Sequence, residues 1–187
     1  LQPTVQPTLQ PTVQPTIQPT MQPADGTQIM KLDGEWQLEL SEYSDGMSLS
    51  DSCVLPGTLD ENQKGKKNTR SETGKLTRKY TYTGKAVYRK TVEVPADWNG
   101  KSISLYLERT KKTRVWVNGT EETAADTDNS LAAPHIYELT NIIPGQTNTI
   151  DIEVDNSNYS LYMGNGNETR ATKTHMLTEE TQTNWTA

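Results

Sequence analysis

Leu105–Gly119 reads LYLERTKKTRVWVNG, two extended runs joined by a basic link. Ahead of the link, Ile103, Leu105 and Leu107 alternate with Ser102, Ser104, Tyr106 and Glu108, a period of two that turns one apolar face to a core. Beyond it, Val115 and Val117 alternate with Arg114, Trp116 and Asn118, and Asn118-Gly119 supplies a turn that tolerates positive φ. Both runs are long enough for β-strands. They also read as too polar for the middle of a sheet covered on both faces.

Working outward, the same grammar recurs. Trp36, Leu38 and Leu40 alternate with Gln37 and Glu39 after Asp33-Gly34, which predicts a strand. Residues 41–68 are poor in apolar side chains and read as a long excursion carrying Leu55-Pro56-Gly57-Thr58. Lys75 to Val94 reads as a strand pair around Gly84, with Tyr88, Lys90, Val92 and Val94 facing one way and Pro95 ending it. Asp97-Trp98-Asn99-Gly100 reads as a hairpin leading into the central stretch. Thr120 to Ser130 reads as acidic and irregular, and His135 to Leu139 as a short strand or bend. Ile150, Ile152 and Val154 alternate with Asp151, Glu153 and Asp155 in the cleanest strand of the chain. Residues 156–174, with Gly164 and Gly166, read as a second long loop. No stretch keeps helical spacing. Short strands at intervals near ten residues predict an all-β fold, an antiparallel β-sandwich.

Residues 1–27 differ in kind. QPT recurs with Val, Leu, Val, Ile and Met between copies, and proline at every fourth position forbids the helix that the apolar spacing would otherwise suggest. The expectation is an extended Pro-rich N-terminal tail, about 70 Å long when polyproline-like. It reads as a spacer with threonines suited to O-glycosylation in a secreted protein. Residues 28–187 are then one domain, large enough for its own core.

Composition excludes several classes. A net charge of −6 argues against nucleic acid as partner. One cysteine, Cys53, permits no disulfide framework, and two histidines, His135 and His175, argue against a zinc centre. No apolar run approaches a membrane span, so no membrane partner is expected. No signal peptide is visible, but the sequence opens in mid-repeat, and the spacer favours an extracellular or periplasmic setting. With no Phe in the chain, Trp and Tyr must supply the aromatic core.

ERTKKTRVWVNG resembles the centre of the N-terminal sugar-binding domain of glycoside hydrolase family 2, the β-galactosidase and β-glucuronidase family. Four further segments match that domain in the same order: Leu32–Trp36 (LDGEW), Leu55–Thr58 (LPGT), Pro134–Thr140 (PHIYELT) and His175–Trp185 (HMLTEETQTNW). The resemblance implies a jelly-roll sandwich, galactose-binding-domain-like, serving a catalytic (β/α)₈ barrel elsewhere in the same polypeptide. It implies carbohydrate as partner, a surface for barrel docking or oligomer contact, and carbohydrate contacts from Asn184 and Trp185. In the family a closing strand follows the Asn-Trp; here Thr186-Ala187 end the chain, so the last strand is expected to be missing.

The residues also speak to chemistry directly. Glycoside hydrolysis needs two carboxyl groups about 5–10 Å apart across one bond. Glu121-Glu122 and Glu179-Glu180 are neighbours in extended chain, so each pair points to opposite faces. No G-x-S-x-G, phosphate-binding glycine loop or H-E-x-x-H occurs. No catalytic residue, metal or cofactor is therefore expected, and the chain reads as non-catalytic. Sugar binding wants aromatic faces with Asn, Asp, Glu or Arg beside them. Asn184, Trp185 and Glu180 fit that chemistry, as does Asp60 more remotely, although residues 175–185 could instead pack domain to domain. Trp116 is either core or an exposed platform; Trp36 is core. Glu108 and Arg109 resemble a structural ion pair, and His135 a satisfied loop histidine. Three functions stay open: an accessory sugar-binding domain of a family 2 hydrolase, a free-standing carbohydrate-binding module on a spacer, and a scaffold without sugar affinity.

Overall fold

A computed structural model describes residues 27–69, 78–107, 110–124 and 134–157. The architecture is an antiparallel β-sandwich. Its larger layer is a six-stranded sheet in the order β2-β1-β5-β10-β7-β8, built from β1 (Gly34–Glu39), β2 (Asp51–Leu55), β5 (Lys85–Glu93), β7 (Lys112–Val117), β8 (Thr120–Glu122) and β10 (Thr147–Asp155). Facing it is a two-stranded layer of β6 (Ser104–Leu107) and β9 (His135–Glu138), and a small ribbon pairs β3 (Lys66–Lys67) with β4 (Tyr80–Thr81).

β10 is the spine. It pairs with β5 from Thr147↔Glu93 to Asp155↔Lys85 and with β7 from Ile150↔Val117 to Asp155↔Lys112. Its alternation puts Ile150, Ile152 and Val154 inward, all fully buried, where β-branched side chains pack well on a pleated surface. Across the sheet the same face carries Trp36, Leu38, Ala86, Tyr88, Val115 and Val117, and the opposing layer supplies Leu105, Leu107, Tyr137 and Leu139 to one continuous core. Each such large apolar side chain contributes roughly 1.5–3 kcal/mol by burial. Trp36 is core as expected, its indole Nε1 donating to Leu32 O at 2.8 Å.

The central stretch divides between the layers. β6 pairs with β9, whereas β7 enters the large sheet, so the two runs lie in different layers. β7 then turns into β8 through Asn118 (φ 51) and Gly119 (φ 81), the two positive-φ residues of a type I′ hairpin. The expectation that this stretch was too polar for a doubly covered sheet fails for β7. Val115 faces the core, and Trp116 on the other face is only 5% exposed because residues 41–47 lie over it.

Four further expectations are corrected. The excursion 41–68 contains β2, whose Cys53 and Leu55 complete the core beside Trp36 and Gly34. β4 and β5 do not pair with each other; β4 pairs with β3, and β5 with β1 and β10. The cause sits at the junction, where Gly84 N donates to Asn156 Oδ1 at 2.6 Å and Tyr82 OH to Lys85 O at 2.6 Å, steering the chain out of the ribbon and into the large sheet. Residues 97–100 form no hairpin. Ala96–Trp98 is a 3-10 turn that carries the chain to the opposite layer and plugs the core with Trp98, 7% exposed. Within the stretch read as irregular, Thr120–Glu122 is β8.

Candidate functional site

Three polar clusters among the described residues bear on a site: the outer face of the large sheet, the seam between the layers, and the loop after β2.

On the outer face, Arg89 of β5 and Asp151 of β10 are directly paired in register, and their side chains meet in a two-pronged ion pair, Nε to Oδ1 at 2.6 Å and Nη2 to Oδ2 at 3.0 Å. Arg89 Nη1 also donates to Met47 O at 3.0 Å, and Glu153 Oε2 accepts from Tyr43 N at 2.8 Å. These bonds lash residues 41–50 across the sheet, helped by Lys85 between Glu42 and Glu153 and by Ser50 on Glu39. Under this strap the Tyr43 ring stacks on Trp116 at 3.8 Å between centroids, with the Arg114 guanidinium 4.7 Å from the same indole. Arg114 in turn grips Glu121 through Nε–Oε1 at 2.8 Å and Nη2–Oε2 at 2.7 Å. Burial and the Asp151 charge raise the Tyr43 phenol above its ordinary range. The bond from Arg114 holds Glu121 below the usual carboxylate range.

Asp151 and Glu153 are two residues apart on one strand face, about 7 Å between Cα atoms, a separation two glycosidase carboxyls could use. Burial decides otherwise. Each is 2% exposed, and their oxygens are engaged by Arg89, Tyr43 N and Lys85, so no substrate has a line of approach. Glu121 and Glu122 point to opposite faces as read from the sequence: Glu121 to Arg114 outside, and Glu122 inward, accepting from Thr140 N (3.1 Å), Thr140 Oγ1 (2.8 Å) and Asn141 N (2.8 Å).

At the seam, Thr113 of β7 meets β9. Thr113 Oγ1 lies 2.7 Å from His135 Nδ1 and 2.9 Å from Tyr137 Oη, while Tyr137 OH donates to Thr113 O at 2.8 Å. Thr113, His135 and Tyr137 form one linked buried group that ties β7 to β9. His135 is thus satisfied, but on a strand rather than in a loop.

The third cluster holds Asp60. After a cis Leu55-Pro56 bond, Thr58 N and Oγ1 donate to Glu61 Oε2 at 2.9 and 3.0 Å, and Glu61 N returns to Thr58 Oγ1 at 3.0 Å. Asn62 takes Val54 N (2.7 Å) and gives to Val54 O (3.0 Å), closing the free edge of β2 as a neighbouring strand would. Asp60 Oδ1 accepts from Lys79 N (3.0 Å) and Tyr80 N (2.7 Å), tying the loop to the β3–β4 ribbon. Its carboxylate is half engaged in structure, and it stands well apart in the fold from the Tyr43–Trp116 stack, across the sheet from β2. Asn184, Trp185, Glu180, Glu179, His175, Glu108 and Arg109 lie outside the described residues. Among the described residues no three His, Cys, Asp or Glu side chains cluster as metal ligands, and no helix is long and apolar enough to cross a membrane.

The outer-face network was not foreseen. Its only sequence signal is the alternation of Asp151 and Glu153 with the β10 core residues, which reads equally as a solvated face; nothing local tells that residues 41–50 fold over it.

Residues 1–27 match the family described as PT disordered repeat. No curated protein sequence matches the chain. Solved structures do resemble it. A β-glucuronidase from Ruminococcus gnavus in complex with D-glucaro 1,5-lactone superposes with a TM-score of 0.52 at 20% identity, over 69% of this chain and 22% of that one. The same organism's enzyme in complex with D-glucuronic acid gives 0.53 and 22% over 69% and 22%. A β-D-glucuronidase of Dictyoglomus thermophilum gives 0.52 and 20% over 72% and 21%. At these identities the likeness shows a shared fold, and the chain spans about a fifth of the length of those proteins.

Proposed function

We propose that residues 28–187 are an accessory, non-catalytic carbohydrate-binding domain of a glycoside hydrolase of family 2 type, carried behind a repeat spacer formed by residues 1–27. The observation that carries this reading is the sandwich itself, matched to about a fifth of each of three β-glucuronidase structures. Five collinear motifs, from LDGEW to the segment ending in Asn184-Trp185, support it independently. The buried state of Asp151 and Glu153 and the divergent Glu121 and Glu122 support a non-catalytic role. In this reading the connectivity is jelly-roll-like, the chemistry belongs to a catalytic barrel of the same polypeptide, and Asn184, Trp185, Glu180 and Asp60 contact carbohydrate. Trp185 would stack on a sugar face while Asn184 and Glu180 bond its hydroxyls.

A free-standing module on a spacer is the second reading, favoured by the PT repeat match over residues 1–27. Calorimetric titration with β-glucuronide and β-galactoside oligosaccharides separates the two. The accessory role predicts weak, millimolar binding, reduced further in Trp185→Ala. Micromolar binding abolished by that substitution favours the autonomous module. No binding to any glycan overturns both.

A further inference from the structure

Two Asn-Gly pairs lie among the described residues, Asn99-Gly100 and Asn118-Gly119; Asn165-Gly166 lies outside them. Such a pair is open to attack on the asparagine side chain, because glycine places no Cβ beside its own backbone nitrogen. By every local measure the two described pairs are alike. Both asparagines are exposed, and both glycines have positive φ, 76 at Gly100 and 81 at Gly119.

The fold separates them through the side-chain amide. Asn118 Nδ2 donates to Asn141 O at 3.0 Å and to Asn148 Oδ1 at 2.9 Å, and Asn118 Oδ1 accepts from Thr149 N at 3.0 Å. Asn148 is itself buried and fixed by bonds to Ile143 N, Ile143 O and Gln146 O, so this clamp is anchored in the structure. For Asn118 Cγ to meet Gly119 N, the amide must leave all three partners. Asn99 has no such clamp. Its amide makes no hydrogen bond with the described residues, and its turn is closed by backbone alone, Asn99 N to Ala96 O at 3.1 Å and Lys101 N to Trp98 O at 3.0 Å. The neighbouring Asp97 and Lys101 side chains are occupied by Gln28. The space over Gly100 is open, with no atom within 4 Å of where a Cβ would stand.

We propose that Asn99 is a site of spontaneous covalent modification in the native chain, converting to aspartate and isoaspartate, and that the clamp on Asn118 spares the second pair. The Gly100 nitrogen attacks Asn99 Cγ, and a C–N bond forms as the Cγ–Nδ2 bond breaks. Nδ2 leaves as ammonia, carrying the proton that Gly100 N gives up. Water then opens the cyclic imide at either carbonyl, to aspartate or to isoaspartate. No oxidant or reductant takes part. The product carries a new carboxylate beside Asp97, and in the isoaspartate form one extra methylene in the backbone of the turn that holds Gln28.

The test ages the full chain in mildly alkaline buffer, with and without denaturing urea, and follows the Asn99 and Asn118 peptides by mass spectrometry after digestion. Each converted residue gains about 1 Da as an amide gives way to a carboxyl. In the native chain Asn99 is expected to convert about a hundred-fold faster than Asn118, each of the three clamp bonds slowing the reaction roughly five-fold. In urea the clamp is gone and the two rates should converge. Equal rates in the native chain, or no conversion of Asn99 there, overturn the proposal. A gap that persists in urea also overturns it, since flanking sequence would then set the rates.

Discussion

The Arg89–Asp151 pair allows a quantitative prediction, because its two members are unequally buried. Asp151 is 2% exposed, while the Arg89 side chain is 22% exposed and keeps a second bond to Met47 O. Removing one partner of a buried pair leaves the other's charge uncompensated, which costs about 3–5 kcal/mol when that charge has no route to water. Arg89→Met strands the more buried Asp151 and should cost about 3–4 kcal/mol. Asp151→Leu strands an arginine that can still reach solvent and Met47 O, so about 2 kcal/mol is expected. The double variant leaves no orphan charge and should lie within about 1 kcal/mol of wild type. Urea unfolding of all four proteins closes the cycle, with a coupling of at least about 3 kcal/mol between the two sites. Additive losses, or an Arg89→Met loss under about 1 kcal/mol, would show that the pair sits in water and that residues 41–50 do not cover it.

Other outcomes follow from the same geometry. Trp116→Ala removes the surface on which Tyr43 stacks and should destabilise by about 3 kcal/mol in thermal unfolding; a loss under about 0.5 kcal/mol would make Trp116 an exposed platform after all. Tyr137→Phe takes the donor from Thr113 O across the layer seam and should cost about 1–2 kcal/mol by the same measurement. Asn118→Ala forces a Cβ-bearing residue without a side-chain amide into φ 51 and loses the bonds to Asn141 O and Thr149 N, so it should cost more than Asn118→Gly, which loses only the bonds. Burial pushes the Cys53 thiol up to about 12 from 9.0. The native chain therefore keeps that proton between those values while the unfolded chain releases it, and stability should fall as pH rises from 9 toward 12. Cys53→Ala should flatten that fall, and Ellman's reagent at pH 8 should label wild type only on unfolding.

Much of the fold is legible in sequence because period-two alternation is local. Ile150, Ile152 and Val154, or Trp36 and Leu38, declare their faces without reference to any other segment. Asn118-Gly119 declares its hairpin for the same reason, since two successive positive φ values suit few other pairs. What alternation does not contain is partnership. Tyr80–Thr81 reads as the mate of β5, yet the amide of Gly84 is taken by Asn156, seventy-two residues on, and the ribbon pairs with β3 instead. β2 is five residues that open on Asp51-Ser52 and stop at Pro56, too short to stand out until Trp36 and Leu38 are seen beside it. The candidate site was less legible still. A charged residue on a strand face looks the same whether it meets water or a covering loop, so the alternation does not tell which of the two Asp151 and Glu153 meet. Asp60 stands out in the sequence only by its place after Leu-Pro-Gly-Thr, and its bonds to Lys79 N and Tyr80 N are backbone contacts that no pattern announces.

Binding without turnover is the behaviour expected of this domain. A single sample of isotope-labelled chain, mixed with a β-glucuronide tetrasaccharide and followed by amide chemical shifts, tests it most directly. The prediction is fast-exchange shifts in residues 180–185 and around Asp60, with the tetrasaccharide intact after prolonged incubation. Cleavage of the oligosaccharide, or spectra that do not change at millimolar ligand, would contradict it.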